Sequence, residues 1–185
     1  MKNLIKLPIL GIEFNSEEYI FIDNGFVKDV NSQGMKNYEK FGDNPENYVR
    51  DNTLGDGKLP EAYGLTQVPP NQLSPIKVII CYQNRESLLE ETFIRGHEET
   101  HALEKMREIH LIERKLSNIG ININLFLEKD CELIADFGGL YAVISYGFES
   151  EEILSFLSGY GERGKILSKI YINYLDSCKN TEVHL

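Results

Sequence analysis

The stretch "IRGHEETHALEKM", residues 94–106, carries two of the chain's four histidines, four positions apart, with a glutamate directly after the first. On an α-helix, positions i and i+4 lie about 40° apart around the axis and one turn up. His97 and His101 therefore project from one face and can both reach a single ion. Imidazole suits zinc, which takes nitrogen, sulfur or oxygen ligands at about 2 Å in a tetrahedron. Glu98 falls one step round, beside the metal rather than on it, where it can hold a water and take its proton. Glu90, Glu104 and Glu108 share the histidine stripe, whereas Leu88 and Met106 fall on the far side. The histidines thus lie on the polar face. The competing reading is an ordinary solvated helix face that happens to carry two imidazoles.

Working outward, the helical pattern runs from about Glu86 to Ser117 and stops near Gly120. Before it, "SPIKVIICYQ" (74–83) is a compact apolar run that reads as a buried strand, either interior or at an edge. "YIFIDNGFVKDV" (19–30) holds two β-rich runs around Asp23-Asn24-Gly25, the signal of a hairpin. Residues 31–74 are rich in glycine and proline and poor in aliphatics, so they read as a long functional loop or as hidden short elements. Lying ahead of the strand, the segment is a candidate lid or self-inhibiting plug. Its aromatics Tyr38, Phe41, Tyr48 and Tyr63 are candidate anchors.

After the central helix, a second helix is expected from about Lys129 to Tyr146, closed by Gly147. A third, capped by Ser150, covers 150–157, and "GYGERG" (159–164) reads as a break before a final helix over residues 165–178. In that last helix Ile166, Ile170, Ile172 and Leu175 read as core. Strands first and helices after give an α+β class.

One helix comfortably offers two ligands, so a third must come from elsewhere. "CELIADFGGLYAV" (131–143) places Glu132 and Asp136 on one face as an i, i+4 pair. Glu132 could complete a two-histidine, one-glutamate site that leaves a fourth position for water. Asp136 could accept the free ring N–H of a ligating histidine. Gly139, one turn further, would let two helices approach closely. The plainer alternative is an acidic helix start followed by a buried apolar face. Cys131 reads as a small buried residue, because the helix turns it about 100° from Glu132.

Taken together, "HEETHAL" and the downstream "ELIADFGG" resemble the gluzincin metallopeptidases, thermolysin-like enzymes whose pattern is HExxH followed by a helix with ExxxD. They are also similar to the small cytoplasmic ImmA/IrrE-type peptidases. The resemblance covers about residues 76–147. It implies a single zincin-like domain over 1–185, with a small N-terminal mixed sheet and hairpin packed on an active-site helix and helices after it. It also implies Zn2+ on His97, His101 and Glu132, with Glu98 as general base and Asp136 behind a ligating histidine. The implied activity is hydrolysis of a peptide or protein substrate, which would pair with the strand ahead of the helix. The interval from His101 to Glu132 is longer than in thermolysin-like members. No later histidine takes the place of an oxyanion stabiliser, since His184 lies near the end of the chain. Tyr160 is the candidate for that catalytic part, with Arg163 beside it.

Two other functions fit parts of the pattern. One is a zinc-binding interaction module with weak catalysis. The other is a di-iron carboxylate protein, since Glu98-x-x-His101 is half of its ligand set, but the second Glu-x-x-His is missing. Composition excludes more. A net charge of −10 repels phosphate backbones and anionic lipid heads, so nucleic acid and membranes are poor partners. No apolar run is long enough to span a bilayer. "MKNLIKLPILGIEF" is broken by Lys6 and Pro8 and makes a poor signal peptide. Three dispersed cysteines argue against a disulfide framework and for a reducing, cytoplasmic setting.

Overall fold

The computed structural model describes residues 2–70, 74–124 and 128–182. It is an α+β fold of two small sheets, with two helices set between strands and a run of helices after the last strand. β1 (Asn3–Leu7) and β2 (Ile12–Ser16) form an antiparallel hairpin. β3 (Tyr19–Val27), β5 (Ile76–Gln83) and β4 (Gly64–Gln67) form a mixed sheet in the order β3-β5-β4, parallel on one side of β5 and antiparallel on the other.

The hairpin expected over 19–30 is not there. β3 runs straight through Asp23-Asn24-Gly25 and pairs with β5, its register shifting between Asp23 and Phe26. Gly25 does take a positive φ of 64°, and Asp23 Oδ1 accepts its N–H at 2.7 Å. The local conformation the dipeptide demands is therefore met inside a bulge instead of a chain reversal. The antiparallel hairpin is β1–β2.

Most of the supposed loop 31–74 is regular. α1 (Val30–Phe41) starts at Asp29, whose carboxylate accepts the N–H groups of Asn31 and Ser32. α2 (Pro45–Asn52) starts at Asn44 with proline at its first position. These helices escape an apolar-period search because their inner faces are small or polar: Gly34, Asn37 and Tyr48 are buried. Gly34 is a packing position, not a break. A Cβ there would come 2.6 Å from the Tyr48 hydroxyl and 2.9 Å from Leu65 Cδ2.

β5 is the interior strand of its sheet, which settles the choice left open between interior and edge. Val78, Ile80 and Tyr82 join the main core, while on the other face Cys81 lies near Tyr48, whose pKa is pushed up to about 12 by burial first and then by Cys81. α1 and α2 thus cover one face of the sheet and the main helices the other.

The long helix expected over 86–117 is two. α3 (Leu88–Lys105) ends at Met106, Arg107 adopts a left-handed φ of 61°, and α4 (His110–Asn118) follows. On one straight helix Ile109, Ile112 and Leu116 would face away from Phe93 and Leu103; the bend turns all of them inward. α5 (Cys131–Tyr146) begins at Asp130 and stops at Gly147, as expected. α6 (Ser150–Ser158) is preceded by Glu149 with no side-chain cap, and Ser150 Oγ instead accepts a hydrogen bond from Tyr171. The glycine-rich break is shorter than expected, since α7 (Gly161–Glu182) already starts inside it. α7 buries Leu167 and Tyr171, whereas Ile166 and Ile172, expected as core, are exposed.

α3 and α5 pack closely, with glycines of each helix set against the other. A Cβ on Gly96 would lie 2.6 Å from Ala142 Cβ, and one on Gly138 would overlap the Thr100 hydroxyl. Gly139 does sit in this contact, facing Phe93, but Gly138 is the tighter point. This close approach brings the two motif-bearing helices together. No helix of the described residues is long and apolar enough to cross a membrane.

Candidate metal centre

His97 and His101 project from α3 toward Glu132 in the first turn of α5. His97 Nε2 lies 3.5 Å from Glu132 Oε2, and His101 Nε2 lies 3.4 Å from Oε1. These separations are too long for strong hydrogen bonds. They match the spacing of about 3.3 Å between two ligands bound at about 2.0 Å on a tetrahedral zinc. Candidate donor atoms of all three residues lie within 4.8 Å of one another, so the group could hold a metal ion.

Each histidine is oriented from behind. Asp136, fully buried on the next turn of α5, lies 2.8 Å from His97 Nδ1. Glu104, on the next turn of α3, lies 2.9 Å from His101 Nδ1. Carboxylates at both Nδ1 atoms fix the ring orientations and turn both Nε2 atoms toward Glu132. Glu104 had been placed on the right stripe by the sequence, but only the fold shows what it touches.

Without a metal, this cluster attracts protons. Burial opposes charge on His97, but Asp136 and Glu132 outweigh it and lift the pKa to about 9. Burial likewise opposes charge on His101, and Glu104 and Glu132 lift it to about 9. In return, His101 and His97 hold the Glu132 carboxyl well below the usual carboxylate range.

Tyr160 and Arg163 approach from the α6–α7 joint. The Tyr160 hydroxyl donates to Asp136 Oδ1 at 3.0 Å. Arg163 Nε lies 3.0 Å from Asp136 Oδ2, out of line for a hydrogen bond, and its Nη1 lies 3.4 Å from Glu132 Oε2. Tyr160 thus borders the site, but its hydroxyl is engaged behind His97. An oxyanion role would require that hydroxyl to leave Asp136. Cys131 is exposed at the rim, not buried as expected, because the first turn of α5 stands at the mouth of the cleft. His184 lies outside the described residues.

Glu98 is buried and its pKa is raised by that burial. It opens onto a cleft of about 1010 Å³ that also borders both histidines, Glu132, Tyr160 and Arg163. Of the 31–74 segment, residues 60–66 border this cleft.

The other internal glutamate of the motif, Glu99, faces away from the site. Its two carboxylate oxygens accept the backbone N–H groups of Ile9 and Leu10, at 3.1 and 2.9 Å, tying the β1–β2 turn to α3. Burial pushes its pKa up to about 7. Glu99→Ala would leave two buried donors without an acceptor. We expect it to lower the unfolding free energy by roughly 2–5 kcal/mol in urea titrations. A change below about 0.5 kcal/mol, the scale of ordinary surface substitutions, would show that the turn is held by other contacts.

Set beside known proteins, the chain matches no protein-family model, no curated protein and no solved structure.

Proposed function

We propose that this chain is a zinc-dependent metallopeptidase with a zincin-like fold of the gluzincin kind, acting on peptide or protein substrates. The observation that carries the reading is the convergence of His97, His101 and the Glu132 carboxylate, with ligand atoms within 4.8 Å of one another and each imidazole backed by its own carboxylate. Two imidazoles and one carboxylate, open to a cleft, form a donor set suited to catalytic zinc.

His97, His101 and Glu132 would hold a zinc ion, which would supply a Lewis acid for the carbonyl and for water. Glu98 takes the proton of the attacking water and returns it to the leaving amine. Its burial favours the protonated state it must pass through. Asp136 and Glu104 keep the two imidazoles in the ligating tautomer. An extended substrate pairs along β4, the edge strand that borders the cleft, and not along β5, which is interior.

The second reading, a zinc-binding interaction module of weak activity, is favoured by the engagement of the Tyr160 hydroxyl with Asp136. A di-iron site is disfavoured, because Glu98 stands outside the converging ligand group. The test is metal removal. Protein purified with one equivalent of zinc should hydrolyse an unfolded protein substrate, lose that activity to a chelator and regain it with zinc. His97→Ala should neither hold zinc nor recover. Hydrolysis that survives complete chelation would exclude the metallopeptidase reading.

A further inference from the structure

Glu98 is fixed by a strand, not by its own helix. β4 crosses α3 so that Gly64 and Thr66, two residues apart and therefore on one face of the strand, meet the Glu98 side chain. The Thr66 hydroxyl lies 2.6 Å from Glu98 Oε2 and 3.0 Å from the Glu98 carbonyl oxygen. At Gly64 a Cβ would overlap Glu98 Oε1 and come 2.7 Å from Cδ, so only a bare backbone leaves the carboxylate its place. Gly64, Thr66 and Glu98 all border the cleft.

The opposite face of β4 is anchored on α1. Leu65 packs at Gly34. Gln67 accepts a 2.8 Å hydrogen bond from Asn37, and both side chains are buried. Part of the segment read from sequence as a candidate lid or plug thus braces the strand that grips Glu98.

We propose that Thr66, braced by α1, is the positioning residue for Glu98, an inference that rests on the metallopeptidase reading. One hydroxyl meets both the Glu98 carboxylate and the Glu98 carbonyl oxygen, so it ties the side chain of Glu98 to its own backbone. That grip and the bare backbone at Gly64 hold the carboxylate in one place at the cleft, and a catalytic group displaced by about 1 Å loses about 100-fold in rate.

The experiment compares Thr66→Val and Thr66→Ser in the zinc-loaded full chain, with zinc content, thermal midpoint, kcat and KM on an unfolded protein substrate. Thr66→Val should keep its zinc and its KM while kcat falls about 10–100-fold. Thr66→Ser, which restores the hydroxyl, should recover kcat to near the parental value. Should Thr66→Val fail to fold, Thr66→Ala carries the same expectation. The proposal is overturned if kcat survives without the hydroxyl, if serine does no better than valine, or if the lost rate tracks lost zinc. Should the parental chain hydrolyse nothing, the peptidase reading fails separately. The grip is then read from the carbon NMR signal of the Glu98 carboxyl in metal-free protein: valine must shift it and serine return it, and an unmoved signal overturns the assignment.

Discussion

With zinc bound, Glu98→Gln should retain the metal and hydrolyse peptide ~10²–10⁴-fold more slowly than the parental chain. The amide keeps the shape of the side chain and can still accept a hydrogen bond from Thr66, so positioning and metal ligation survive. What it lacks is a site for the proton. Because burial disfavours charge on Glu98, the neutral amide should also leave the metal-free protein at least as stable as before at neutral pH. Lost rate without lost stability or lost zinc separates a catalytic base from a structural residue. The measurements are kcat, zinc by elemental analysis and urea unfolding. A variant that cleaves at the parental rate removes Glu98 from the reaction. A parental protein that binds zinc yet cleaves nothing leaves the interaction module as the standing reading.

The second large effect is on pH. In metal-free protein the folded pKa values of His97 and His101 are raised to about 9, above the unfolded value near 6.5. Protons on these rings must leave before zinc can bind. Zinc affinity should therefore climb with pH up to about 9, by at most about 100-fold per unit where both rings release a proton. Titration calorimetry in buffers of different ionisation enthalpy would count those protons.

The stability of metal-free protein should run the other way. A raised folded pKa contributes stability that is complete below the unfolded pKa and is lost as pH rises through the folded one. The two histidines lose theirs between about pH 6.5 and 9, and Glu99 loses its share between about 4.5 and 7. Glu132, held low, contributes in the opposite direction and only at acid pH. Metal-free protein should thus weaken from pH 6 to 9.5 by up to about 3 kcal/mol for each ring, and zinc-loaded protein should not. Equal pH profiles with and without zinc would mean that the two rings do not share a metal site.

The α+β class, the α5 boundaries and the pairing of side chains along each motif-bearing helix were legible in the sequence because each depends on chain neighbours. Helical spacing puts His97 beside His101, and Glu132 one turn before Asp136, wherever the helix sits. Capping residues and glycines mark helix ends by local conformation, as Asp130 and Gly147 do for α5. Where local demand has two solutions, the sequence misled. Gly25 needs a positive φ, which serves a hairpin turn and a bulge equally, and the choice fell to pairing with β5.

By itself, then, the sequence determined which side chains share a helix face, because that follows from a fixed rotation per residue. Tertiary structure decided which faces meet. Gly96 and Gly138 set how closely α3 and α5 approach, and so whether two histidines and a glutamate stand at metal-ligand spacing. The contact from Thr66 to Glu98 spans 32 residues, and the bonds from Ile9 and Leu10 to Glu99 span about ninety. No periodicity encodes them, since a buried carboxylate takes its hydrogen bonds from whatever the packing brings within reach.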